Sequence, residues 1–334
     1  MVVNVIGSKQ AISIASRVLA PPDGGIAFAR GLLLCVLVGA LVSTSAAVIF
    51  EVVTYITFAV SPELRRRVAQ TVRHPLVAGL LPFAAIVVLA TFYGATSWPN
   101  SLSALVGWRR LLLVPLAMAV FEDASSKRLL FKTLVITCLV GALVSFETAW
   151  RGLPIVDNDK LQAGIAFHNY SVQGLSFSLA IIVGIAGILR PDAFAGDRLL
   201  RNRFIMTAVV AILAFDIVFI LTGRSGYLSL IVMAVTTVTF LVRGSLRAKA
   251  LAGLSVLVCV VLLLGSSAQV RSRVGQALRE FETADQSTKP TSLGYRAVFW
   301  PTTIRMVREH LLFGVGTGGF EDGYRPYGKT VPGW

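Results

Sequence analysis

Arg224 stands in LTGRSGYLSL, a polar break from Thr222 to Gly226 between two apolar runs. Gly223 and Gly226 flank it, and residues without a Cβ let the backbone come close to a ligand. A guanidinium is a planar fork of donors that suits a phosphate diester or diphosphate, through paired charge-assisted hydrogen bonds. At a membrane surface that chemistry points to a lipid phosphate. Arg296, in GYRAVFW, heads an amphipathic segment, and Arg109 and Arg110, in GWRRLLL beside Trp108, make a third cationic point. His168, in FHNYSVQG, lies at the end of an apolar run, where it can contact a donor or an acceptor. Ordinary roles compete for all of them: a snorkelling arginine, a solvated surface charge, an interfacial Trp/Arg anchor. Several cations with few carboxylates nearby favour a polyanionic ligand.

The elements that must position these residues are apolar. Hydrophobic residues make up 55% of 334 positions and charged residues 14%, and the mean hydropathy is +0.75. A soluble domain is about a quarter charged, so the main solvent of this chain is lipid. Runs near 26–42, 44–60, 76–93, 105–121, 132–148, 170–189, 204–221, 226–242 and 249–265 predict about nine transmembrane helices. The break between the first two is only VSTSA. The expected fold is an all-α polytopic membrane protein: a lead-in over 1–25, a transmembrane bundle over 26–265, and a large loop over 266–334. The first residues lack a compact apolar core and end in LAPPDGG, so they read as a cytoplasmic lead-in and not as a cleaved signal.

The net charge of +14 does not indicate nucleic acid, because the basic residues fall in short clusters between apolar runs. Arg65, Arg66, Arg67 and Arg73 share one loop; Lys127, Arg128 and Lys132 a second; Arg190, Arg198, Arg201 and Arg203 a third; Arg243, Arg247 and Lys249 a fourth. By the positive-inside rule those loops and the N-terminus face the cytoplasm. Arg109, Arg110, Arg224 and everything after Gly265 then face outward. In that last segment Trp300, Ile304, Val307 and Leu311 recur at helical spacing, with Arg305 and Glu309 four apart and able to pair. The pattern predicts a helix lying along the membrane surface, with Pro301 at its first turn or kinking it. Cys35, Cys138 and Cys259 sit inside apolar runs without ligand spacing and read as small core residues.

LTGRSGYLSL and GYRAVFWPTTIRMVREHLLFGVGTGGF together resemble the O-antigen ligase/polymerase superfamily of bacterial membrane proteins. The first matches that family's arginine in an S/G-R-G/S context, the second its Y-R-x-x-x-W arginine and its glycine-rich G-x-G-x-x-x-F ending. GWRRLLLVPL and FHNYSVQGLSF are similar to its earlier loop-to-span segments, most like the ligase branch. The resemblance implies an inner-membrane enzyme with a periplasmic active face and a large periplasmic loop. It implies transfer of a glycan from undecaprenyl diphosphate to lipid A–core oligosaccharide. It assigns the diphosphate to Arg224 and Arg296, with Arg109 and Arg110 for acceptor phosphate or anchoring, and needs no metal or other cofactor. The family's general-base histidine falls late in the periplasmic loop, and the expectation here is that it follows Trp334, the chain being a fragment. His74 is on the cytoplasmic side by topology, and His310, before GVG, reads as a capping or packing residue.

Other signals point elsewhere. GVGTGG follows a helix and not a strand, which argues against a dinucleotide site. Asp157 and Asp159, in VDNDK, form a D-x-D pair able to hold Mg2+ or Mn2+ against a diphosphate, and equally an Asx-rich turn. Asp216 and Glu51 lie inside apolar runs, where a carboxylate is costly and usually functional or paired. They keep open a flippase or transporter of a lipid-linked anionic glycan, although no repeat of broken helices is visible. The polymerase branch is the nearer alternative. Asn169 opens a formal N-Y-S sequon.

Overall fold

The computed structural model describes residues 22–94, 96–153, 163–242, 244–282 and 292–328. Every regular element in them is helical. In chain order these are α1 (Pro22–Val42), α2 (Thr44–Val60), α3 (Pro62–Thr71), α4 (Pro75–Tyr93) and α5 (Trp98–Gly107). A 3₁₀ turn (Trp108–Leu112) leads to α6 (Leu113–Val120), followed by α7 (Ala124–Arg151) and α8 (Tyr170–Leu189). Then come α9 (Arg198–Arg201), α10 (Arg203–Phe215) with a π-helical end (Asp216–Ile220), α11 (Arg224–Leu241) and α12 (Leu246–Ser266). α13 (Ala268–Glu282), α14 (Ser292–Glu309) and α15 (Phe320–Gly328) complete the described chain. Two compact units divide it: Met1–Leu64 with Val120–Val274, and Arg65–Ala119 with Gly275–Trp334.

The all-α polytopic expectation holds, with fewer full-length spans. Seven described helices are long and apolar enough to cross a membrane, or eight if the pair Thr44–Val60 and Pro62–Thr71, bent by 98°, counts as one span. All nine apolar runs lie on helices, but two fall short. Thr44–Val60 has 17 residues, and Ser225–Leu241 belongs to the same shorter class. At 1.5 Å per residue such a helix reaches about 25 Å, less than the roughly 30 Å of bilayer hydrocarbon. The run near 105–121 is part of a longer, interrupted span, Trp98–Val120.

The polar residues that punctuate the runs are helix caps, each satisfying amide groups that a helix start leaves without partners. Ser43 separates α1 from α2, and Gly39 brings the two helices so close that a Cβ there would lie 2.9 Å from the Ala47 nitrogen. His74 caps α4, its Nδ1 accepting from the Leu76 N–H at 3.3 Å. At Asp197, which caps α9, burial works against ionisation; the Leu200 and Leu199 amides and Lys132, at 3.4 Å, hold the carboxyl below its ordinary range nonetheless.

Asp123 caps α7. Hydrogen bonds from Ser125 and Ser126, with Arg30 Nη2 2.6 Å away, hold its carboxyl well below the usual range. A depressed carboxyl contributes stability above its unfolded pKa and loses it as pH falls through the folded value. Asp123→Ala therefore costs about 1 kcal/mol at neutral pH. Thermal unfolding in detergent should show that deficit unchanged from neutral to mildly acidic buffer, shrinking only below the ordinary carboxylate range.

In the first unit, α8 is the most buried span and packs on α7, α10 and α11. Its glycines set the spacing: a Cβ on Gly184 would meet Val210 at 2.6 Å and one on Gly187 the Leu200 carbonyl at 2.5 Å. Phe177, Met206, Leu213, Ile217 and Leu221 fill the core between these helices. Cys138 is buried there, Cys259 is on the exposed surface of α12, and all three cysteines are free.

The second unit is built around the end of α4. The Thr317 N–H donates to the Ala90 carbonyl at 2.9 Å, and its hydroxyl donates to the Val87 carbonyl at 2.7 Å. Tyr93 Oη donates to the Phe313 carbonyl at 2.7 Å. The first of these fills a carbonyl that the end of α4 leaves open, and the other two hold the turn against it. The GVGTGG turn that supplies them carries positive φ at Gly314, Gly316 and Gly318. The expected surface helix is α14; Pro301 lies inside it, and Arg305 Nε meets Glu309 Oε1 at 3.2 Å as the spacing predicts. Trp300, Ile304 and Val307 form an exposed apolar face, continued by Leu311, Leu312 and Phe313.

Candidate functional site

The first unit brings two helix starts together. α8 begins after Asn169, whose side chain caps the Val172 N–H at 2.9 Å. α11 begins at Arg224, after Gly223, which has no side chain to cap with. The two starts lie side by side: Ser171 Oγ is 3.1 Å from Ser225 Oγ. A Cβ on Gly174 would lie 2.7 Å from Gly226 Cα, and one on Gly223 would lie 2.3 Å from the Tyr170 ring. Two parallel helices thus present their amide-rich, partially positive ends at one surface, which favours an anion.

Arg224 is the first residue of α11. A cation at a helix N-terminus opposes the helix dipole, so helix stability does not account for it. An anion bound there would be held by the two dipole ends. His168 shares this surface: it is exposed, one residue before the Asn169 cap, and its N–H donates to the Leu41 carbonyl at 2.9 Å, at the end of α1.

The glycine contact carries a prediction. Gly174→Ala puts a methyl group against the Gly226 backbone and the Leu221 side chain, at 2.7 and 3.0 Å. Backbone cannot rotate away, so α8 and α11 must separate, at a cost of about 1–3 kcal/mol. A lowered unfolding temperature, measured in detergent, is the expected result.

The other expected site residues are in the second unit. Arg296 lies within the first turns of α14. Arg109 and Arg110 are not in an open loop between spans, as the sequence led one to expect. They form part of the 3₁₀ turn that interrupts the Trp98–Val120 span. Arg109 Nη1 donates to the Val106 carbonyl at 3.0 Å, so it caps α5, and Trp108 packs edge-on against Phe83. A basic group at a helix C-terminus is favourable, which gives Arg109 a structural task. His310 follows α14 in a turn, its N–H bonded to the Met306 and Val307 carbonyls. A polar cleft of about 360 Å3 lies beside the glycine-rich turn, lined by Asn100, Ser103, Glu321, Asp322 and Arg325. Its carboxylates pair with Arg325 at 3.1 and 3.6 Å, and Asp322 also accepts from Thr96.

Asp157 and Asp159 lie outside the described residues. Among the described residues no group of three or more His, Cys, Asp or Glu side chains could hold a metal ion. Glu51, 1% exposed, accepts from Tyr55 Oη at 2.8 Å, one helical turn away.

Sequence reasoning missed three participants. Asn169 was visible as a polar residue just before an apolar run, the signature of a helix cap. Gly174 was visible only as a residue type, since its contact with Gly226 joins positions far apart. Gln173, 0% exposed on α8, bonds Asp216 Oδ1 at 3.1 Å and gives that buried carboxylate a partner no local pattern indicates.

This is a helical, multi-pass membrane protein. Residues 208–334 match the model of the O-antigen ligase family (Wzy_C), so the chain carries the signature of the O-antigen ligase/polymerase superfamily over the segment that holds Arg224 and Arg296. That family implies transfer of lipid-linked glycans, and the match does not separate ligase from polymerase. No curated protein and no solved structure matches the chain.

Proposed function

We propose that the protein is an O-antigen ligase of the bacterial inner membrane, moving a glycan from undecaprenyl diphosphate to lipid A–core oligosaccharide on the periplasmic side. The observation that carries this reading is the pairing of the α8 and α11 starts, of which α11, opened by Arg224, lies inside the segment that matches the family. In the reaction, an acceptor hydroxyl attacks the anomeric carbon. The carbon–oxygen bond to the diphosphate breaks, and the diphosphate leaves with the electron pair. Donors aimed at that developing charge stabilise the transition state. Arg224 and Arg296 supply them, Arg109 and Arg110 serve acceptor phosphate or anchoring, and His168 contacts donor or acceptor. The hydroxyl proton passes to a general base.

The test uses membranes containing the full-length protein, a radiolabelled undecaprenyl-diphosphate glycan and lipid A–core, with and without excess chelator. Label should move to lipid A–core at the same rate in both, because arginines take the place of a metal. Loss of transfer in chelator, restored by Mg2+ or Mn2+, would favour a metal route through Asp157 and Asp159. Lengthening of the lipid-linked glycan would make it a polymerase, and relocation without transfer a flippase.

A further inference from the structure

Beneath the paired helix starts, four buried polar side chains meet: Ser145 and Thr148 of α7, Gln173 of α8 and Asp216, each at most 3% exposed. Gln173 uses both ends of its amide. Its Oε1 accepts from the N–H groups of Ala166 and Phe167, at 2.8 and 3.4 Å. Its Nε2 lies 3.1 Å from the Gly164 carbonyl and 3.1 Å from Asp216 Oδ1, and 3.2 Å from Ser145 Oγ. Ser145 donates to the Gly164 carbonyl at 2.7 Å, and Thr148 accepts from the Gly164 N–H at 3.1 Å. The backbone from Gly164 to Phe167 is thus bonded to two helices, and through Gln173 it is linked to Asp216; His168 is the next residue.

Asp216 ties that turn to the other half of the site. It opens the π-helical segment, and the Leu221 N–H closes that segment on the Asp216 carbonyl at 2.8 Å, two residues before the Gly223 cap. Its Oδ2 has no hydrogen-bond partner among the described residues. A half-satisfied carboxyl inside an apolar span is costly, so stability alone does not account for it.

We propose that Asp216 and Gln173 are positioning residues: they fix the turn that carries His168 against the hairpin that carries Arg224, and touch no substrate. The activity arm of the test rests on the transferase reading; the structural arm does not. An amide at 216 accepts from Gln173 as a carboxyl does, so the role requires an acceptor of that shape and not a charge.

The structural arm uses Ser171→Cys with Ser225→Cys, oxidised in membranes, as a cross-link between the two helix starts, whose hydroxyls are 3.1 Å apart. The pair should cross-link readily in the otherwise unchanged chain and in Asp216→Asn. Asp216→Leu, Gln173→Leu and Gln173→Glu, the last pressing a carboxylate against the Gly164 carbonyl and Asp216, should slow it at least fivefold. Without the cysteines, Asp216→Asn should keep at least a third of wild-type transfer, and the other three should lose tenfold or more. No cross-link in the unchanged chain, or wild-type cross-linking in Asp216→Leu and Gln173→Glu, overturns the proposal. So does Asp216→Asn that cross-links normally but loses transfer, since the carboxyl would then act in the chemistry. The expected cross-linking pattern with no transfer by the wild type would leave the positioning role standing and remove the transferase reading.

Discussion

Arg224→Ala and Arg296→Ala should each abolish glycan transfer while the chain inserts into the membrane at its normal level. The expectation for Arg224 follows from where α11 places it. A cation at the first residue of a helix opposes the dipole, so alanine should cost the fold little, and unfolding does not explain lost transfer. On the proposed role, alanine removes a donor to charge that builds on the departing diphosphate, an effect of about 10²–10³-fold for a single donor. Arg296 belongs to the family-matching segment and to the first turns of α14, and its loss should be as severe. Lysine restores the charge but not the planar fork, so Arg224→Lys and Arg296→Lys should recover only part of the rate. Transfer is read as label moving to the acceptor, with membrane abundance measured in parallel. Wild-type rates in both alanine variants would remove the diphosphate assignment.

Gly316→Ala should give the largest loss of stability of any single methyl group in the second unit. Its φ is +79°, and a Cβ there would lie 2.2 Å from Gly94 Cα and 2.8 Å from the Ala90 carbonyl. A left-handed conformation costs a non-glycine residue roughly 1–2 kcal/mol. Overpacking against backbone adds about 1–3 kcal/mol more. Gly314→Ala separates the two contributions, because Gly314 has φ +64° with nothing within 4 Å of its Cβ position. Thermal unfolding should therefore show a modest decrease for Gly314→Ala and a much larger one for Gly316→Ala. Equal decreases would mean that the turn does not sit against the end of α4.

Much of this architecture was legible because periodicity and caps are local. The apolar runs become helices, and Ser43, His74 and Asp123 mark starts that side-chain acceptors satisfy. Span length was less legible. The run near 44–60 looks complete by hydropathy, yet its helix has 17 residues and meets the next at a 98° bend. Arg109 and Arg110 looked like a loop because charge usually marks one; a 3₁₀ turn holds them inside an interrupted span instead. For the site, Arg224 announced itself by type and glycine context. The partners that shape its surroundings did not, because Gly174, Gln173 and Asp216 acquire meaning only when α8 packs against α10 and α11.

The turn that seals α4 also sets an order of events during biosynthesis. Val87 and Thr317 are joined across 230 positions, and at 5–20 residues per second the ribosome needs on the order of ten to fifty seconds to cover that distance. Through that interval α4 is already made, but the residues that close its end do not yet exist. A nascent chain halted before Val315 would therefore leave the translocon with an early helix still unfinished, and stalled ribosomes at that point should yield a protease-sensitive α4 end that full-length product lacks.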